Sequence, residues 1–417
     1  MKKLLFTFAV LIVYRIGVFI PVIGINVPLL AEHMGRQEAL GGLLRYLDLF
    51  SGGALQQCTL FALGIGPYIT ASIMMQILSM SVPTLEALAK EGEYGRKVIN
   101  QYTRYLSFFL SIGYALGYAT YLEHAQLVLN PGLGFKIIFV MSLVVGSMFV
   151  MWLSEQISLM GIGNGSSMIL FASIVARFPD YVIRTINAVQ IGNMSSILAM
   201  AILLFFIIIT ACIVFLEKGD RKIPVQYARR VVGQRVYGGQ TSYIPFKINT
   251  AGVMPVIFAS SVLNIPVFIT TMFASRWAFL KVVQDALQMG GFLYNVLEFG
   301  LIVFFTFFYT ALVFNPVELA DNMKKSGGFI PGIRPGKQTS DYFDYILTRI
   351  GLVGAIYLGI LALLPNIVHA VVAMPFFLQG TSLLITVGVA LELSSQIEAY
   401  LIEHNYGSFL TTGRMKK

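Results

Sequence analysis

Residues 47–78 read LDLFSGGALQQCTLFALGIGPYITASIMMQIL, and the two halves of this stretch require different surroundings. The second half is apolar enough to cross a bilayer. The first half is not: a short apolar turn runs into Ser51, Gly52 and Gly53, and then into Gln56 and Gln57. Irregular backbone at membrane depth is tolerated only where protein or water satisfies its polar groups, and glycine supplies the freedom to bend there. The stretch therefore reads as a broken, polar-tipped half helix, either beside a wet cavity or as an external loop helix with no gating role, followed by a spanning helix that starts near Cys58.

The rest of the chain agrees with a membrane setting. Of 417 residues, 57% are hydrophobic and only 12% charged, far from the profile of a soluble domain. Runs of the ~20 apolar residues that cross a ~30 Å hydrocarbon core occur at ten places, 4–23, 58–79, 104–122, 136–154, 166–182, 195–216, 251–272, 296–315, 346–368 and 376–398. They lack the alternation of barrel strands, so they are expected to be helices. The fold class that follows is an all-α integral membrane protein with ten transmembrane helices.

Charge sets the orientation. With the N-terminus inside, exterior segments hold seven of the 29 basic residues: Arg36, Arg45, Lys136, Arg177, Arg184, Arg276 and Lys281. Arg15 falls inside span 1, and the other 21 lie on cytoplasmic segments or the span ends that border them. Both termini are then cytoplasmic. The net charge of +9 is mostly this bias. Lys2 and Lys3 before an apolar core resemble a signal peptide, but no small-residue cleavage site follows, so the run reads as span 1. Cys58 and Cys212 are too few for a disulfide framework and read as free thiols.

Two cytoplasmic connections stand out. Residues 217–250 carry seven basic and two acidic residues. Alternation at Ile223, Val225 and Tyr227, with Gly238-Gly239 as the turn, predicts a protruding β-hairpin. Residues 316–345 are rich in Gly and Pro and again basic. Ten spans divide into two halves, 1–182 and 183–417. An odd number per half gives them opposite orientation, which suits an inverted repeat.

The spans hold few ionisable residues; Arg15, Glu298 and Glu392 are the deepest, and Arg15 reads as a snorkelling or helix-pairing residue. The histidines are scattered, with no metal-ligand spacing, no nucleophile has a base, and no cofactor is implied. Gly161–Gly165, GIGNG, lacks the lysine and the preceding strand of a phosphate loop, and reads as a tight helix connection. An enzyme is disfavoured. An ion-coupled transporter would need midplane acids that this chain scarcely has.

The opening segment, FSGGAL followed by FALGI-x-PYI-x-ASI-x-x-Q, resembles the SecY family, the central subunit of the bacterial protein-conducting channel. Further matches are EGE-x-GR-x-x-x-x-QYTRY at 91–105, MWLSEQI-x-x-x-GIGNG at 151–165, RRVVGQRVYGGQ at 229–240, AGVMPVIFASS at 251–261, FFYTALVFNPVELADNMKKSGGFIPGIRPG at 307–336 and PFFLQGTSLLI at 375–385. The resemblance implies two pseudo-symmetric five-helix halves around an hourglass pore that opens sideways between spans 2 and 7.

It also implies a re-entrant plug helix at about 42–50, with Leu43, Leu44, Leu47 and Phe50, hinged at Ser51, Gly52 and Gly53. An apolar pore ring would comprise Ile65, Ile69, Ser166, Leu170, Ile257 and Ile385. Ser166 departs from the aliphatic residue usual in the family. Docking for ribosomal RNA phosphates and the SecA motor would fall on Arg221, Lys222, Arg229, Arg230, Arg235, Lys324, Lys325 and Arg334. The implied partners are SecE- and SecG-type small membrane subunits, SecA, the ribosome, signal sequences and translocating polypeptides, and lipids. The implied location is the bacterial plasma membrane.

Overall fold

A computed structural model describes every residue except 1, 26–50, 228–229, 233–234, 238–240, 274–278, 280–281, 284–285, 288–290, 373–375, 377 and 413–417. Among the described residues, six helices are long and apolar enough to cross a membrane, or seven if one bent pair is counted as a single span. The chain divides into two compact units. One holds Met1–Asn193, Ser261–Tyr294 and Val389–Lys417; the other holds Met194–Ser260 and Asn295–Gly388.

The first unit opens with α1 (Lys2–Gly17), followed by α2 (Gly66–Ser81) and α3 (Pro83–Lys90). Val82 and Pro83 turn the chain by 100° between the last two. Then α4 (Glu93–His124) and α5 (Leu133–Met160) form a long antiparallel hairpin. Inside a bilayer the hydrophobic effect offers no drive for helix association, so close packing must supply it, and small residues allow that approach. Gly146 on α5 lies so near the Leu60 carbonyl that an added methyl would overlap it. Gly95 is seated likewise on the Leu88 carbonyl, which accounts for a glycine in the EGE-x-GR motif. The hairpin core gathers Tyr118, Ala119, Leu122, Phe139 and Leu143 around Cys58, Ala62 and Leu63.

The expected start of span 2 near Cys58 is corrected here. Residues 52–65 form successive turns, and the helix begins at Gly66. Positive φ at Cys58 (46°) and Gly64 (54°) breaks the helix that the apolar composition alone suggests. Residues 166–182 fall within one apolar span, Gly165–Gln190, made of α6 (Gly165–Val175) and α7 (Phe178–Gln190), with a proline in the first turn of α7. GIGNG is the helix connection expected of it: Asn164 caps α6 by accepting from the Ser166 N–H.

In the second unit, α8 (Ser196–Lys218) leads into β1 (Asp220–Tyr227), β2 (Arg230–Val232), β3 (Arg235–Tyr237) and β4 (Thr241–Lys247). The predicted hairpin is present, since β1 pairs antiparallel with β4 and β2 with β3. Gly238-Gly239, expected as its turn, lies outside the described residues; Val232 pairs with Arg235 in the β2–β3 ladder. Next come α9 (Met254–Phe273, which passes into the first unit), α10 (Phe292–Val313), α11 (Pro316–Lys325), β5 (Gly328–Phe329), α12 (Lys337–Val371) and α13 (Gly380–Thr412). Gly380 sits where any side chain would overlap the Ala362 backbone of α12, and Gly388 is pressed against Val253.

Candidate functional site

The ring positions fall into two groups. In the first unit, Ile65 caps α2 and Ile69 lies one turn into it, while Ser166 opens α6 and Leu170 follows one turn later. Each pair is spaced i,i+4 and so shares a helix face. Ile65, Ile69 and Leu170 are buried. Ser166 is half-buried, and its hydroxyl donates to Asn164 Oδ1 at 2.7 Å. The departure from an aliphatic residue therefore has a local chemical use, because the hydroxyl helps cap α6. In the second unit, Ile257 on α9 and Ile385 on α13 are also buried.

Of the expected plug and hinge, Ser51, Gly52 and Gly53 are described, and Leu43, Leu44, Leu47 and Phe50 lie outside the described residues. Gly52 (φ 67°) and Gly53 (φ 95°) both adopt the left-handed region that favours glycine. A Cβ on Gly52 would sit 3.1 Å from the Ser173 backbone, and one on Gly53 would sit 2.9 Å from Arg177 Nη2. Arg15, expected to snorkel or to pair helices, instead directs Nη1 at the Gly52 carbonyl, 3.5 Å away. Tyr14 beside it approaches Ser173 and Ser51, and its ring stacks on Phe61. Nothing in the local sequence marks Tyr14 or Ser173, which are 159 residues apart.

The two basic connections join into one platform. β5, from the second connection, pairs with β1, from the first, through Gln226–Phe329 and Tyr227–Gly328, giving a sheet of order β4-β1-β5. Ile223, Val225 and Phe246 bury one face against Ala320, Met323, Ile330, Phe343, Ile346 and Leu347. Gly328 is close to the Tyr227 and Val225 side chains, 3.1 Å from each for an added Cβ, so a larger residue would need those side chains to give by a few tenths of an ångström.

On this frame Arg221, Lys222, Lys324, Lys325 and Arg334 are exposed, and none is in an ion pair with another described residue. Successive strand residues face opposite ways, so Arg221 and Lys222 present charge on both sides of β1. Lys324 and Lys325 end α11, where cations complement the helix dipole. Arg334 sits in a loop fastened by Ile330 in the core and by Thr339, whose hydroxyl donates to the Arg334 carbonyl at 2.9 Å. Arg230 and Arg235 belong to the short β2–β3 ladder, and Arg229 lies outside the described residues.

Glu298 on α10 is fully buried and accepts from Asn366 Nδ2 at 3.2 Å. Both cysteines are free, Cys58 buried and Cys212 half-buried. Among the described residues no cluster of His, Cys, Asp and Glu could hold a metal ion.

The SecY family model matches residues 59–394. The chain belongs to the SecY family. It is 45% identical over 421 residues to the protein translocase subunit SecY of Escherichia coli strain K12, covering 100% of this chain and 95% of that one. Its fold is similar to that of a solved protein-conducting channel, with a TM-score of 0.66 at 19% identity, over 95% of this chain and 91% of the other. It is also similar to Sec61 in the canine ribosome-channel complex from the endoplasmic reticulum, with a TM-score of 0.62 at 17% identity, over 95% and 91% of the two chains. The chain is thus a protein-conducting channel subunit of a translocase, and not an enzyme. It is a multi-pass membrane protein with several apolar helices.

Proposed function

We propose that this channel passes secretory chains through a pore lined by Ile65, Ile69, Ser166, Leu170, Ile257 and Ile385, and releases hydrophobic segments sideways between spans 2 and 7. Ten spans in two inverted halves, 1–182 and 183–417, surround that pore. Residues 42–50 plug it from outside, turning on Ser51, Gly52 and Gly53. Aliphatic side chains exclude ions by keeping a constriction dry, and they bind no passing segment strongly, which suits a channel that accepts any sequence. The observation that carries this reading is the burial of all five isoleucine and leucine side chains at the ring positions in a chain of this family.

The cytoplasmic platform is where driving partners dock. Its unpaired cations suit rRNA phosphates and acidic protein surfaces, and a ribosome holds the related canine channel. A SecA-type motor would use the same face, while SecE- and SecG-type subunits and lipid cover the flanks. The bacterial plasma membrane is the location that the family resemblance implies, and both termini inside follow from the charge bias. The plug is tested by pairing a cysteine at Leu47 with one on the outer pore wall. Oxidation should stop transport and reduction restore it; transport that continues after cross-linking removes the plug from the account.

A further inference from the structure

Tyr14, Ser51 and Ser173 are all completely buried, and they meet at the root of the segment just described as a plug. Tyr14 Oη lies 2.7 Å from Ser173 Oγ and 3.4 Å from the Ser51 carbonyl oxygen. The Ser173 hydroxyl donates to the Ile169 carbonyl at 2.8 Å, so its own proton is engaged. Tyr14 is then the donor, shared between Ser173 and the hinge carbonyl. Ser51 is fixed further by accepting from the Leu55 N–H at 3.3 Å. Gly52, next in the chain, is held against the Ser173 backbone, with Arg15 directed at its carbonyl.

A hinge that turned freely would need none of this. The glycines permit several backbone conformations, and the surrounding side chains select one of them. The Ser51 carbonyl also accepts from the Ala54 N–H at 3.4 Å, but in a site without solvent it finds no water in exchange for Tyr14, so that bond resists departure.

We propose that Tyr14 and Ser173 form a catch that holds the hinge Ser51–Gly53 in its seat and thereby sets how often the resting channel opens. This rests on the reading of residues 42–50 as a plug. A ligand-free channel samples its open state rarely, and losing one buried hydrogen bond raises that population by about twofold to tenfold. Tyr14→Phe removes only the hydroxyl, because the ring stacked on Phe61 at 6.0 Å remains.

The test uses the assembled translocase in proteoliposomes without a substrate chain, with ion conductance measured per assembled complex. Tyr14→Phe should raise resting conductance by about twofold to tenfold. Ser173→Ala should raise it no further than that. The double variant should match Tyr14→Phe, because both changes act on one bond. Deleting residues 42–50 should raise conductance more, and adding Tyr14→Phe to the deletion should change nothing.

If the deletion raises conductance and Tyr14→Phe does not, the catch is wrong and the plug stands. An effect of Tyr14→Phe that persists in the deletion background also overturns the catch, because the hydroxyl would then act elsewhere. If the deletion leaves conductance unchanged, the plug fails and the catch fails with it.

Discussion

Arg104 on α4 and Glu155 on α5 meet through two parallel hydrogen bonds, Nε to Oε1 and Nη2 to Oε2, both 2.8 Å. At the other end of the same hairpin, Lys136 lies 2.8 Å from Glu123. Two ion pairs near opposite ends allow only one register of α4 against α5, and α5 in turn supports the turns that carry Leu60 to Ile65. The first pair also joins the QYTRY and MWLSEQI motifs, giving a physical reason for their charged members.

Arg104→Lys should lose the fork geometry and destabilise the detergent-solubilised complex by about 0.5–1 kcal/mol, since the arginine is half exposed. A double-mutant cycle with Glu155→Gln measures the coupling through thermal unfolding. Zero coupling would mean that the pair does not set the register.

Gly146→Ala should cost about 1–3 kcal/mol by forcing α5 away from the Leu60 carbonyl. Gly134→Ala on the same helix has open space around it and should be close to neutral. Equal thermal stability of the two variants would contradict the packing described for residues 58–65.

Phe246→Ala should unseat the hairpin, because Phe246 lies 5.6 Å from Phe343 and is enclosed by the platform core. A loss of about 3–5 kcal/mol is expected within the platform. Limited proteolysis between residues 228 and 240 should accelerate while the membrane portion stays assembled. Unchanged cleavage would separate the hairpin from that core.

Arg334→Glu should weaken docking of the motor or ribosome on the order of tenfold at low salt, with the difference narrowing as salt rises. The side chain is exposed and the loop is anchored elsewhere, so folding and insertion should be unaffected. Normal export by this variant would remove Arg334 from the docking surface.

Periodicity and charge made much of this legible in advance. Ile223 and Val225 alternate as strand residues should, and both are buried where the hairpin meets its core. Cys58 to Ile65 read as helix because the residues are apolar, while two positive φ angles that composition does not reveal keep them in turns. β5 has two residues, too few for any period, and its pairing to β1 depends on tertiary contact. Tyr14 and Ser173 were invisible for a similar reason, since their meeting depends on how α1 and α6 pack around the hinge.

The most direct measurement stalls a secretory chain in transit and places a photo-crosslinker at Ile69 or Ile257, with Ile197 on the exposed face of α8 as the comparison. A pore lined by the proposed ring predicts capture of the stalled chain at Ile69 and Ile257 and none at Ile197. Capture only at Ile197 would contradict it.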